Sequence, residues 1–445
     1  MAYDPVRFLV VRDFLNFKKT NQWAEQAPEQ LTKNIDRRFY FHLLQGMIRH
    51  QRLLEEEIRS RIKKPFHKLQ DSVVGILSLG IFQLYFMDKV PARAGIFETV
   101  ELAVPFRIFQ QKGLINAVLR NLQRDPDKKS RLLNYPLPVR TSHQDWMVAR
   151  WQNSYSKSEV QSICEANNVF EGITIRTKKP WNRAQLQKKL RAEGVESRLH
   201  PIADQALIVE NASECFRTNA FHEGAFYVQD SSSQVFLELT ESLWKGDVLD
   251  ACAAPGGKSL QILESSQLRH LVINDISRNR LLKISQNIAR LNLNSQMLTI
   301  SDSRRLPYLK PFDVILLDVP CSATGTIRKN PDLKWTAQPA TLLKQEDLQR
   351  RLLEHSVLHL KPGGTLVYST CSLETEENDL QIKQFLENHP EFELLPFFQL
   401  PNVPQNYSPY LTKEGYFRSL PSPEMMGFFA AVLLHRGERT ENNFA

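Results

Sequence analysis

The sequence predicts an α/β protein: a doubly wound, mainly parallel sheet in the second half, preceded by an all-helical domain and a small α+β linking domain. Three observations carry this reading. Up to about residue 124, apolar residues recur every three or four positions, as in "NIDRRFYFHLLQGMIRHQRLLEEEIRSRI" and "KGLINAVLRNL", the spacing of amphipathic helices. From 141 to about 235, short strand-like runs ("GITIRT", "ALIVE", "AFYVQD") alternate with helical ones ("SHQDWMVARWQNSY", "RAQLQKKLRAEG"). From 236 onward, strand, turn and helix repeat, the pattern of a parallel sheet with crossover helices.

The expected domains are therefore 1–135, helical; 141–235, small α+β; and 236–437, the doubly wound sheet. In the first, Pro65, Pro91 and Pro105 punctuate the helices, and "VVGILSLGIFQLYFM" (73–87) reads as a buried helix because it is too short for a bilayer and is interrupted by Ser78 and Gln83. The polar, proline-bearing "RDPDKKSRLLNYPLPVR" (124–140) reads as a linker. In the third, the strands are "DVLDA", "LVIN", "LTIS", "FDVILLD" and "TLVYST".

Composition narrows the function classes. The five cysteines, Cys164, Cys215, Cys252, Cys321 and Cys371, form no CxxC pair and no Cys/His cluster of metal spacing, so reduced thiols in a cytoplasm and no metal site are expected. The N-terminus has no basic region followed by an apolar block, and no membrane association is expected. Residues 1–140 hold 24 Lys and Arg against 14 Asp and Glu, whereas the remaining 305 hold 33 against 35. The basic excess of the helical third suits a polyanionic partner.

"CAAPGGKS" (252–259) ends like a phosphate-binding loop, yet the glycine that such a loop needs five positions before Gly257 is replaced by Cys252. The dinucleotide pattern of three spaced glycines is absent too. What remains is a strand, then Pro255, Gly256 and Gly257 opening a helix, which suits close backbone approach by a ligand without a long phosphate chain. Asp275 after the next strand has the spacing to bind two ribose hydroxyls, and Asp302 after the following one lies where an adenine edge is expected. A nucleoside without a pyrophosphate points to S-adenosylmethionine. Its expected site comprises Cys252, Ala253, Ala254, Pro255, Gly256, Gly257, Lys258, Asp275, Asp302 and Asp318, across the carboxyl ends of the strands.

The blocks "DACAAPGGKS", "LLDVPCSATGTIRKNPDLKW" and "LVYSTCSLETEEN" resemble those of the RNA 5-methylcytosine methyltransferases, and "DRRFYFHLLQGMIRHQRLL", "LGIFQLYFMDKVPARAGIFETVELA" and "KGLINAVLRNL" resemble the NusB-like domain of the RsmB (Sun or Fmu) branch. The resemblance runs from about residue 5 to 436. It implies a Rossmann-like methyltransferase sheet, a NusB-like RNA-binding domain, and methylation of carbon 5 of a cytosine in 16S ribosomal RNA, at the position numbered 967 in the bacterial reference. A monomer acting on that RNA is expected.

The chemistry explains the residue types. Carbon 5 of cytosine is a weak nucleophile until a thiolate adds to carbon 6, and that demands a soft, ionisable side chain. By resemblance, Cys371 is the nucleophile, Cys321 assists elimination, and Asp318 meets the cytosine edge and the cofactor. Lys258 is expected to neutralise the cofactor carboxylate or a target phosphate, and Arg328, Lys329, Lys334 and Trp335 to form a strip against RNA. Two positions depart from the family pattern: Val319 replaces an alanine, and Met426 replaces an aspartate. The competing readings are methylation of a transfer RNA or another ribosomal cytosine, and a non-catalytic NusB-like assembly factor on a methyltransferase fold.

Overall fold

In the computed structural model, residues 3–22, 28–31, 34–169, 172–294, 296–308 and 310–437 are described. The chain divides into two compact units: residues up to Asn168 together with Lys329–Ala337, and Val169–Arg328 together with Gln338 onward.

The first unit is helical, with helices at Pro5–Thr20, Asn34–Arg49, Gln51–Arg59, Asp71–Phe86, Ala92–Glu101 and Lys112–Arg124 around one core that includes Phe14, Leu44, Leu77, Ile81 and Leu119. Asp71–Phe86 is buried on nearly every side, from Val73 through Gln83, as an all-round apolar helix must be. Pro91 precedes the first residue of its helix, where a missing N–H costs nothing. The expected linker holds two short helices, Lys128–Leu132 and Leu137–Arg140, and two longer ones follow at Asp145–Ser154 and Lys157–Ala166.

Of the strip expected against RNA in "GTIRKNPDLKW", Arg328, Lys334 and Trp335 are instead bonded to carbonyls of their own units, while Lys329 is partly exposed. Lys334 is fully buried in this unit, and its ammonium donates to the carbonyls of Arg49 (3.0 Å) and Thr141 (2.9 Å) and to Asn168 Oδ1 (2.6 Å). Trp335 donates its indole N–H to the Ile48 carbonyl at 2.8 Å and packs on the helical core. Arg328, in the second unit, is buried and donates to the carbonyls of Ser422 (2.6 Å) and Pro423 (2.7 Å). These side chains are structural struts, and burial pushes the Lys334 amine well below its ordinary pKa. A basic loop run reads as solvent-facing because its carbonyl partners lie far away in the chain.

The second unit carries two sheets. The smaller has β1 (Ile173–Thr177), β2 (Ser197–Leu199), β3 (Ala206–Val209) and β4 (Phe226–Val228) in the order β2-β3-β1-β4, with antiparallel neighbours. Helix Arg183–Ala192 connects β1 to β2 and opens with a capping box between Asn182 and Gln185.

The larger sheet has β5 (Gly246–Asp250), β6 (Leu268–Asn274), β7 (Gln296–Thr299), β8 (Phe312–Asp318), β9 (Leu360–Thr370), β10 (Phe392–Leu394), β11 (Phe417–Ser419) and β12 (Phe428–His435). Its order is β10-β12-β9-β8-β5-β6-β7, with β11 paired to β12. Strands β5 to β9 run parallel, whereas β12 is antiparallel to β9. Strand parity sorts the side chains between two cores. Val248, Val314, Leu316 and Val367 enter one, and Leu249, Ile315, Leu317 and Leu366 the other, so both faces are covered, as a parallel sheet requires. The direction of winding reverses between β5 and β8, and the carboxyl ends of those strands flank the crevice where such sheets bind ligands.

Candidate active site

Strand parity also selects the polar groups. Asp250 and Asp318, the last residues of β5 and β8, share the face of Val248 and Leu316, and in β9 that parity continues through Ser369 to Cys371, which packs on the same core. Asp318 stands in register with Ser369 and accepts its hydroxyl proton at 2.8 Å.

The loop after β5 brings in the residues expected to meet a cofactor. Gly256 has φ +101°, a left-handed conformation that sterics reserve largely for glycine, and it caps the helix Gly257–Ile262. Lys258 in that helix donates to Asp318 Oδ2 at 2.7 Å, and its ammonium lies 5.1 Å from the Phe428 ring centre. Burial pulls the lysine's pKa down, but Asp318 more than offsets this and leaves it raised. Lys258, expected on the cofactor carboxylate or a phosphate, is thus paired with Asp318.

Asp250 is fully buried; Oδ2 accepts from Ser259 Oγ at 2.6 Å, while Oδ1 has no partner. Burial pushes this carboxyl up to about 7, against the opposing hydrogen bond from Ser259. Asp275, at the end of β6, is also buried; its oxygens accept the Ala254 N–H (3.1 Å) and the Ser277 N–H (2.8 Å), and Arg280 lies 3.0 Å away. Asn274 clasps the same strand ends, its Nδ2 donating to the carbonyls of Ala251 and Ser301 (both 3.1 Å) and to Ser303 Oγ (2.9 Å). Asp302 is paired with Arg304. Its carboxylate binds the guanidinium and backbone N–H of Arg304, and the side-chain hydrogen bond from Arg304 holds it down to about 2.

Cys321 and Cys371 end the neighbouring β8 and β9 loops with their Sγ atoms 3.4 Å apart. Both are free thiols and half-buried. Contact with Cys371 and burial push the Cys321 thiol well above its ordinary range. Cys252, Cys164 and Cys215 are each raised to about 12 by burial, which leaves them inert.

Beneath the thiols sits a carboxylate that sequence reasoning did not single out, although it lies in "LETEEN". Glu377 is fully buried; Oε1 accepts from Ser322 N (2.8 Å) and Gln349 Nε2 (3.0 Å), and Oε2 accepts from the hydroxyls of Ser322 and Ser372. The two loops also meet through backbone. Gly325 N donates to the Cys371 carbonyl and Gly427 N to the Gly325 carbonyl, each at 2.9 Å. A Cβ on Gly325 would lie 2.5 Å from the Gly427 oxygen and 2.7 Å from the Cys371 oxygen. Met426, which the resemblance sets where the family has an aspartate, is buried, and its carbonyl accepts from Ser232 Oγ (2.9 Å) and Ser419 Oγ (2.7 Å).

The missed residues Asp250 and Ser369 share one signal, a polar side chain at the end of an apolar strand, whereas Glu377 lies seven residues beyond β9 in the short 3-10 turn Thr375–Glu377 and carries no such signal. Among the described residues, no cluster of three or more His, Cys, Asp or Glu side chains is arranged to hold a metal ion, and no helix is long and apolar enough to cross a membrane.

Comparison with known proteins gives a consistent assignment along the chain. A family model described as 16S rRNA methyltransferase RsmB/F matches residues 235–434, the NusB family matches 8–124, and a ferredoxin-like domain of RsmF/B-like methyltransferases matches 143–215. Ribosomal RNA small subunit methyltransferase B of Vibrio cholerae is 35% identical over 377 residues, covering 84% of this chain and 86% of that protein. The probable ribosomal RNA small subunit methyltransferase B of Bacillus subtilis is 31% identical, covering 94% and 93%. Among solved structures, a methyltransferase homolog protein from Pyrococcus horikoshii superposes with TM-score 0.56 at 29% identity, covering 68% of this chain and 98% of that one.

Proposed function

The chain belongs to the ribosomal RNA small subunit methyltransferase B family, and from that premise we propose that it methylates carbon 5 of a cytosine in 16S ribosomal RNA, using S-adenosylmethionine and a covalent adduct to Cys371. The observation that carries the cysteine chemistry is the pair of Sγ atoms 3.4 Å apart, on adjacent strand ends, beside the Asp318–Lys258 ion pair.

The residues present fit the cofactor. Asp250 offers a buried, unpartnered carboxylate oxygen suited to an ammonium group, and Asp275 is a buried acid at the end of the next strand, where ribose hydroxyls are bound in such sheets. The loop Cys252–Lys258 would hold the remainder, with Asp302 offered to the adenine edge once it leaves Arg304. When bound, S-adenosylmethionine supplies an electrophilic methyl group.

The chain's own residues do the rest. The Cys371 thiolate adds to carbon 6 of the flipped-out cytosine, which makes carbon 5 enamine-like. Asp318, steadied by Lys258 and Ser369, holds the cytosine edge as charge develops on the ring. After transfer a solvent base takes the carbon 5 proton, the electrons of that bond re-form the carbon 5–carbon 6 double bond, and the carbon–sulfur bond breaks to release Cys371 as thiolate, with Cys321 assisting its departure.

Bisulfite sequencing of ribosomal and transfer RNA from cells with and without this protein tests the proposal. A single 16S cytosine losing its mark, and regaining it with the wild-type protein but not with Cys371→Ala, is expected. Loss at a transfer RNA instead would replace the substrate. An unchanged methylation pattern would leave the non-catalytic assembly reading.

A further inference from the structure

Two thiols in contact pose a question that their placement at strand ends does not answer: what makes one of them the nucleophile and the other its helper? They occupy similar positions, and a thiolate on one disfavours a thiolate on the other.

We propose that Glu377 is the positioning residue that divides their labour: its buried carboxylate ties the two thiol loops together and places a negative charge on the Cys321 side, leaving Cys371 to carry the thiolate. This deepens the cysteine-adduct reading above and rests on it for its catalytic meaning.

Glu377 is bonded to both residues that follow the thiols. It reaches Ser322 through backbone N–H and hydroxyl, but Ser372 through the hydroxyl alone. The peptide N–H it accepts belongs to the peptide bond joining Cys321 to Ser322, whereas its bond to the Cys371 loop is to the Ser372 hydroxyl. Its grip extends further: Gln349 bridges Glu377 to the Pro320 carbonyl (2.9 Å), and the Tyr368 hydroxyl donates to the Glu377 carbonyl (2.7 Å).

The other charged and titratable groups around the pair include Asp318 at the end of β8, Lys258 on the helix Gly257–Ile262, Tyr368 in β9, and Asp250 at the end of β5, which interacts with Lys258 and Asp318. Lys258 is bonded to Asp318 and interacts favourably with charge on Cys371. Tyr368 is held neutral by burial, with the charges of Glu377 and Asp318 acting in the same direction. Cys321 is disfavoured as a thiolate by Cys371, by burial and by Glu377. The cation therefore favours charge on Cys371, and the buried acid opposes it on Cys321. A neutral Cys321 thiol retains the proton needed to assist the later departure of Cys371.

The test is alkylation of the full-length protein by iodoacetamide under reducing conditions between pH 6 and 9, with each cysteine followed by peptide mass spectrometry. In the wild type, Cys371 should react at least about tenfold faster than Cys321 at neutral pH. Glu377→Gln, which keeps the shape and removes the charge, should raise the Cys321 rate about tenfold, shift its pH profile downward and narrow the gap. Its kcat should fall while KM for the cofactor holds. Glu377→Asp, keeping the charge, should retain part of the discrimination.

A wild type in which Cys321 reacts first, or a folded Glu377→Gln whose two rates are unchanged, overturns the proposal. The wild-type ratio needs no variant to fold. Because alkylation is read without RNA, it fails independently of the adduct mechanism: turnover retained in Cys371→Ala would sink that mechanism while the alkylation ratio still decided the role of Glu377.

Discussion

Asp250→Asn removes a buried carboxyl group that burial raises from 3.8 to about 7. Between those values the folded protein keeps a proton that the unfolded chain releases, so this group's contribution to stability falls as pH rises through the window. Raising a carboxyl from 3.8 to about 7 corresponds to about 4 kcal/mol. Roughly 2–3 kcal/mol of that accrues between pH 5 and pH 8, and full burial leaves no solvent screening to discount it. Asparagine carries no such cost, and the Ser259 hydroxyl can bond its amide. Hydrogen exchange of the β5 and β8 amides in the ligand-free protein reads the opening free energy of this sheet directly. The advantage of the variant over the wild type should grow by about 2–3 kcal/mol from pH 5 to pH 8. An advantage that stayed constant, or shrank, would show that the carboxyl is ionised across the range and that the argument from burial is wrong. Calorimetric titration with S-adenosylmethionine supplies the complement: wild-type affinity should rise with pH through about 7, as the acid ionises to meet an ammonium group, and the variant should lose that dependence.

Cys321→Ala should let a protein–RNA adduct accumulate on denaturing gels, since addition proceeds while elimination stalls; an adduct in Cys371→Ala instead would reverse the two roles. Lys334→Met strands the carbonyls of Arg49 and Thr141 and should cost the helical unit about 2–4 kcal/mol, seen as faster exchange in the helix Asn34–Arg49. The salt dependence of RNA binding should not change, because Lys334 is buried, and a reduced salt slope would return it to the RNA surface. Gly325→Ala forces apart the backbones of Gly427 and the Cys371 loop; initial rates should fall about a hundredfold or more, and normal turnover would show that the thiols tolerate displacement.

Much of the site was legible from local pattern. A short continuous apolar run ends where its first polar residue appears, and that pattern assigns Asp318, Asp275 and the loop at Cys252–Lys258 to strand ends. Asp302 shows the limit of that argument. Position after β7 was readable, but the competition from Arg304, two residues on, is settled by side-chain geometry. Lys334 shows a different limit: its burial depends on carbonyls of Arg49 and Thr141, and nothing in "NPDLKW" announces them.

By itself, then, the sequence determined the order of helices, strands and turns, the strand ends at which Asp318 and Cys371 stand, and the residue types that thiolate addition needs. These follow from short-range periodicity and chemical identity. Only the tertiary structure decided that Cys321 and Cys371 touch, that Lys258 spends its charge on Asp318, that Asp250 keeps an unpartnered oxygen, and that Glu377 joins the two thiol loops. Burial and charge pairing depend on which distant segments share a strand end, and that is set when β5, β8 and β9 align in register.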